Sequence, residues 1–445
     1  MRPLLFTVMV SALAACGKHD EMTTPDAADP IDGASPDTGP PPPVNVEVTH
    51  GGTPVTAVPV LVHDTSGAFV AQAVTDDAGK ASVDVPAGGM VSVVYTAPDD
   101  DIYPATIVGV LPGETLRFAV PPEDKTPTIV GNLTLSIPSF TGPAVHFMTH
   151  TGAGVSASGV SSSLSIPLYV RDPEVAGDLT LLSLLRDTNL NTLAWSILPG
   201  VSKSATAVTL PAWDTTLANV TFSLTNAPAD TSGAFVDASL LVDDVWRGVG
   251  HSSVEASAGD IQITTPIPAT EHAIEIYAGL IVEAVGAVER RLYFHQVRGA
   301  SQGTIMTDLA TAPLPLVTSM ALDVAASAGP TLSWSFDTTV PNVDAILIDV
   351  TRHRGSRMVD WYIIMPPDHA GAFTLPTLPE ALAEIMPVES DDIYSAVMLI
   401  DVDEISSPAA YRADGLMWSR LIYDEVTPDA PPFGSRFTYA STSTP

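Results

Sequence analysis

Residues 299–303 read GASQG, a G-x-S-x-G spacing that would put Ser301 where a hydrolase holds its nucleophile. That chemistry needs a strand before the serine and a helix after it, so that a sharp turn exposes the hydroxyl. The residues after Gly303, TIMTDLATAPLP, contain two prolines and no helical face, so Ser301 reads as a turn residue. His146 and His150 of HFMTH are spaced i,i+4. On a helix they could share a zinc ion, but on a strand they lie roughly 13 Å apart at about 3.3 Å per residue. The flanking PAV and TGAG favour strand and turn, which makes them surface histidines. Aspartates cluster at Asp99-Asp100-Asp101, Asp243-Asp244, Asp391-Asp392 and Asp401, Asp403, Glu404. Calcium takes six to eight oxygens. No D-x-D-x-D-G loop gathers them here, so they read as solvated acidic faces. Trp195, Trp213, Trp246, Trp334, Trp361 and Trp418 could stack against sugars, but most sit inside alternating apolar runs and read as core. The residues imply no metal and no cofactor.

Cys16 is the only cysteine in 445 residues. Upstream, Arg2 supplies one positive charge, and residues 4–13 form a short, mostly apolar run. Such a run is too short to span a bilayer core of about 30 Å, but it suits the centre of a signal peptide. It ends in Leu13-Ala14-Ala15-Cys16, which resembles the bacterial lipobox. That resemblance implies a signal peptide over 1–15 and acylation of Cys16 as the first mature residue. It also implies an envelope lipoprotein held by several acyl chains at about 0.8 kcal/mol per buried CH₂. Gly17, rather than aspartate, implies sorting to the outer membrane, with the protein periplasmic or surface-exposed. An acylated Cys16 leaves the body without disulfides, thiolate metal sites or a thiol nucleophile.

The elements that would position any chemistry begin after a leash. Residues 16–43 hold Cys16 and GKHDEMTTPDAADPIDGASPDTGPPPP, proline- and aspartate-rich with no apolar period. This is a disordered tether reaching at most about 80 Å at ~3.1 Å per residue. The full chain carries 18 Lys and Arg against 51 Asp and Glu, a formal net charge of -33. That excess repels nucleic acid and excludes it as a partner. Mean hydropathy is +0.26, which alone would admit a membrane span. The most apolar window, 273–294, carries Glu275, Glu283 and Glu289 and reads as paired strands.

Apolar runs in the body are short, alternating and punctuated every eight to twelve residues, the rhythm of β-sandwiches. The fold class is therefore all-β, a tandem array of sandwiches. In 44–121, GTPVTAVPVLVHD, TDDAGKASVDVPAGG and VLPGETLRFAV resemble a carboxypeptidase regulatory-like, or transthyretin-like, sandwich. In that family the domain is accessory and carries no catalytic zinc. Units 127–211 and 215–310 open similarly, with TIVGNLTLSIP and TLANVTFSLTNAP, and read as two divergent Ig-like sandwiches. TLAWSIL and RLYFHQV would be equivalent late strands of the two. The unit 317–426 contains GPTLSWSFD, which resembles an early strand of fibronectin type III-like domains and places Trp334 in a core near Trp361. It departs from that pattern in one helix, 377–386, with Thr377 as cap, Pro379 near its start, and Leu378, Leu382 and Ile385 on one face. Residues 427–445 are expected to be a C-terminal tail. Tether and sandwiches together resemble lipoproteins of myxobacterial type.

The expected function is a non-catalytic, membrane-anchored structural, adhesive or ligand-binding array, whose partners are a membrane, through its lipid, and a protein or glycan ligand. The alternatives are an envelope hydrolase or accessory subunit using Ser301 or a paired carboxylate, and a calcium-stiffened rod.

Overall fold

In VNVEVTH, alternation puts Val44, Val46 and Val48 wholly inside while Asn45 stays exposed. The same period of two recurs in strands such as Leu217–Ala227 and Thr231–Val242, while others such as Gly89–Thr96 are buried on both faces, and the chain is built from strands. The computed structural model describes residues 40–50, 52–98, 100–121, 128–144, 146–151, 154–170, 178–243, 245–299, 303–339, 343–369, 371–403, 405, 407–413 and 433–444. Cys16, the tether up to residue 39, Ser301, Asp99, Asp244, Glu404 and Trp418 lie outside them. Pro42–Pro445 forms one compact unit.

Three groups of strands share one topology. In the first group, Val44–His50 pairs antiparallel with Lys80–Val83 and parallel with Thr115–Ala119. Facing it is a sheet ordered Phe69–Val74, Pro59–His63, Gly89–Thr96, Ile102–Val110. In the second, Thr128–Ser136 pairs antiparallel with Ser163–Val170 and parallel with Ala207–Thr209. Its other sheet runs Gly154–Gly159, His146–Thr151, Leu179–Arg186, Thr192–Val201. In the third, Leu217–Ala227 takes Gly259–Pro268 and Gly303–Asp308 in the same two senses, opposite Val245–Glu255, Thr231–Val242, Ile274–Val285 and Val288–Arg298. The window 273–294 thus contains a hairpin, closed at Val285 opposite Val288. A fourth sandwich sets Val317–Asp323, Thr331–Phe336 and Ala372–Thr374 against Arg357–Met365, Ala345–Arg354, Asp392–Val402 and Phe433–Thr444.

The expected tail is therefore corrected. Phe433–Thr444 is a twelve-residue strand, and it pairs on both sides: Val297 to Glu289 on one, Val402 to Ile393 on the other. A strand can bury both edges only if its backbone N–H and C=O groups are all matched, and FGSRFTYASTST supplies the β-branched and aromatic residues that suit such a place. The expected helix is corrected too. Only Glu380–Ile385 turns, as a 3₁₀-helix with no side-chain cap. Pro379 and Pro387 bracket too few residues for stable α-helix. Thr377 is committed elsewhere: its hydroxyl accepts from Phe69 N–H at 3.0 Å and donates to the Gly67 carbonyl at 3.2 Å. The apolar face nonetheless packs as read, with Ile385 buried and Leu378 and Leu382 against the same cluster.

Three of the four sandwiches are fused edge to edge. Phe433–Thr444 joins the third to the fourth, and Arg357–Met365 pairs parallel with Ile102–Val110 to join the fourth to the first, giving one twelve-stranded sheet. Two short sheets cover one face of it, and the Val44–His50 sheet covers part of the other. The second sandwich docks on the third. Thr180 N–H and Oγ1 donate to Asp243 at 2.6 and 2.8 Å, and Leu182 and Leu184 enter the third sandwich's core.

Candidate functional site

Among the described residues, none of the candidates read from the sequence gathers into a catalytic group. Ser301 is outside the described residues, but its flanks are clear: Val288–Arg298 precedes it and the strand Gly303–Asp308 follows. The two flanking strands belong to different sheets. His146 and His150 do lie on a strand, His146–Thr151, but only His146 is exposed. His150 is a correction: it is 8% exposed, at the junction with the third sandwich, where Nε2 sits 3.2 Å from the Gly248 carbonyl. Burial, then the charges of Arg247 and Arg186, pull its pKa down to about 4.

The acidic clusters are also more structural than their sequence suggested. Asp391 has a side chain with 0% exposure and takes both nitrogens of a bidentate Arg354 at 2.6 and 2.7 Å. That pairing holds its carboxyl below the usual range. Asp401 pairs with Arg436 at 2.6 Å. Asp100 and Asp101 form the seam turn, the first through its carbonyl to Arg357, the second through Oδ1 to Met358 N–H. Other aspartates close turns: Asp64, Asp76, Asp187, Asp214, Asp308 and Asp323 each accept from the backbone N–H two residues on. Among the described residues, no three His, Cys, Asp or Glu side chains converge as metal ligands. Trp334 and Trp361 share one core, while Trp195, Trp213 and Trp246 are half-buried. The Trp195 and Trp213 indoles donate to the carbonyls of Thr216 and Pro138.

Two groupings were not anticipated, and both lie on one face of the twelve-stranded sheet. Phe235, Tyr277, Tyr293, Phe437 and Tyr439 come from four neighbouring strands. Tyr293 stacks on Phe437 at 4.9 Å and lies 5.0 Å from Tyr277, while Phe235 and Tyr439 meet it edge-on. Gly279 makes room, because a Cβ there would stand 2.7 Å from the Phe235 ring. Beside the rings, His295 Nε2 lies 2.8 Å from Glu275 Oε1, and Arg291 donates to the Tyr293 hydroxyl at 3.1 Å.

Three strands over, Asp349 and Asp360 share one hydroxyl. Thr351 Oγ1 lies 3.0 Å from Asp349 Oδ1 and 2.8 Å from Asp360 Oδ1, and Tyr362 donates to Asp360 Oδ2 at 2.6 Å. Burial and then the Asp360 charge push the Asp349 carboxyl well above its ordinary range. One hydroxyl proton cannot satisfy two carboxylates, so a proton retained on Asp349 completes the set. The same neighbourhood raises the Tyr439 hydroxyl, by burial foremost. Alternation could have flagged Asp349, an aspartate in the apolar run AILIDV, but not its partner from the next strand.

A carboxyl pair of this kind can move protons, but general acid–base work also needs a substrate within hydrogen-bond reach. An open cleft of about 420 Å³ lies elsewhere, at Trp334, Phe336, Asp368 and His369.

No family model matches the sequence, and no curated protein matches it. Among solved structures, the chain is similar to the Bacillus anthracis TIE protein at 11% identity, covering 60% of this chain and 50% of that one, with a TM-score of 0.15. It is similar to the Streptococcal ancillary pilin at 11% identity, over 60% of this chain and 98% of that one, with a TM-score of 0.14. A tetra-tandem repeat in the extending region of a large adhesion protein is 12% identical, over 80% and 95%, with a TM-score of 0.12. The chain spans about half the length of the TIE protein. At these scores the likeness carries no argument, and fold and function rest on this chain's own residues.

Proposed function

We propose that this protein is a non-catalytic, lipid-anchored scaffold of the bacterial envelope, in which four sandwiches act as a stiff structural or adhesive body rather than as beads on a string. The observation that carries this reading is the edge-to-edge fusion of three sandwiches into one sheet. Such fusion commits backbone hydrogen bonds to rigidity between domains, which suits a structural body. Its partners are a membrane, through acyl chains on Cys16, and a protein or glycan surface met by the half-buried aromatic face of Phe235 and Tyr439. The lipobox-like LAAC and the acidic leash support the anchor. Among the described residues no helix is long and apolar enough to cross a membrane.

The test is turnover by the purified full-length chain on ester, peptide and glycan panels, alongside the mass of its mature N-terminus. The reading predicts no turnover and a diacyl or triacyl mass on Cys16. Turnover lost in Ser301→Ala or Asp349→Asn would replace it with a hydrolase, and an unmodified Cys16 would remove the anchor.

A further inference from the structure

The twelve-stranded sheet ends on two unlike edges. At one, Val245–Glu255 is guarded: side chains of the second sandwich reach its carbonyls, His150 and Arg186 to Gly248 and Thr192 to Val249. Arg247, His251 and Glu255 add charge, and a bulge interrupts its pairing between Ala238 and Ser239. Capping, charge and bulges are the usual means by which proteins stop sheet edges from pairing with other chains. At the other edge, Phe69–Val74, charge is missing, and the one bulge falls at the start of the strand, where Val70 lies between the partners of His63 and Val62. From residue 65 to 75 there is no charged residue and no proline. Val70 is 52% exposed and Val74 56%, and Ala71 and Gln72 are exposed with them. Thr377 covers only the first N–H, that of Phe69. Among the described residues no strand pairs on the outer side.

We propose that Val70–Val74 is a self-association edge, through which two copies of this chain pair antiparallel about a two-fold axis at Gln72. The sequence of the open stretch is the argument for a second copy over any other strand. Val-Ala-Gln-Ala-Val reads the same in both directions. Antiparallel pairing centred on Gln72 therefore sets Val70 opposite Val74 of the second copy, Ala71 opposite Ala73, and the Gln72 amides opposite each other. Like apolar pairs and a matched amide pair are favourable cross-strand partners. Charge points the same way. Two molecules at -33 repel over most of their surfaces, and this uncharged run lets backbones approach without setting carboxylates together. Assembly also stops at two, because a two-fold contact consumes the edge and the far edge is capped. The strand is short, so the interface falls at the weak end, below about 1,000 Å², and association is concentration-dependent.

Sedimentation velocity on the full-length chain carrying Cys16→Ser, which removes both lipid and thiol, tests this from low to high micromolar concentration. The expected result is a shift from monomer to dimer that the Val70→Lys/Val74→Lys variant abolishes. A chain that stays monomeric throughout, a lysine variant that folds and dimerises equally, or growth beyond dimers overturns the proposal. Because the lysine variant could fail to fold, single cysteines in the same background give a second readout. Opposed residues lie ~5 Å apart, so a short thiol cross-linker should join Gln72→Cys copies on the order of tenfold faster than Ser66→Cys copies. Equal rates would contradict the two-fold register.

Discussion

The Trp361 indole N–H donates to Thr106 Oγ1 at 2.9 Å, tying together two residues 255 positions apart across the parallel seam between the fourth and first sandwiches. The bond continues inward: Thr106 Oγ1 lies 2.8 Å from Ser92 Oγ, which lies 3.0 Å from His63 Nε2. All four side chains are at most 1% exposed. A buried polar chain is costly unless each member is matched, so it fixes one register of the seam against a slip.

Thr106→Val should therefore leave the Trp361 indole and Ser92 short of a partner and cost about 1–3 kcal/mol, whereas Thr106→Ser should cost less. Urea unfolding of both variants checks this, since a seam register that ignored the hydroxyl would rank them equally.

Asp349 should make stability fall as pH rises. Its native carboxyl titrates above the ordinary range, so its contribution is present below the unfolded pKa of about 4 and is lost as pH climbs through the native value. Asp349→Asn should remove that loss, so the variant's thermal midpoint gains on the wild type steadily from pH 4 upward. Parallel pH profiles for the two proteins would show that the pair does not share a proton.

His63 and His150 act with the opposite sign. Both pKa values are pulled down to about 4, chiefly by burial, so their contributions are complete above about pH 6.5 and are lost as pH falls towards 4. The loss is at most about 3 kcal/mol each. His150→Gln keeps an amide donor for the Gly248 carbonyl and should remove one share of the acid sensitivity. Urea midpoints at neutral and acid pH measure that share directly.

Gly279→Ala should cost about 1–3 kcal/mol, because its new methyl meets the Phe235 ring at 2.7 Å and the Leu292 carbonyl at 3.0 Å. In a Phe235→Leu background the penalty should shrink. A double-mutant cycle by chemical denaturation reads the coupling, and additive penalties would mean that the ring does not lie over the glycine.

Individual strands were legible in the sequence, while their assembly was not. Alternation placed Val44, Val46 and Val48 inside, and 273–294 as a hairpin, because side-chain period is written locally. The similar openings at 127 and 215 likewise pointed to a repeat. That the first sandwich shares its topology stayed hidden, since parallel pairing such as Asn45 opposite Thr115 leaves no local pattern. The final strand was missed because 433–444 is rich in Ser and Thr and has no hairpin partner beside it in sequence. His150 and Asp391 read as surface residues because their burial comes from elements far along the chain. Asp349 and Asp360 are joined by strand register, which no spacing rule reports.

Amide hydrogen exchange across Phe433–Thr444 tests the fused sheet most directly. A strand hydrogen-bonded on both edges between two sandwiches should exchange with the slowest core amides, and in step with Ile102–Val110 at the other seam. Exchange at the rate of an unstructured tail would contradict the continuous sheet and return the protein to independent sandwiches on linkers.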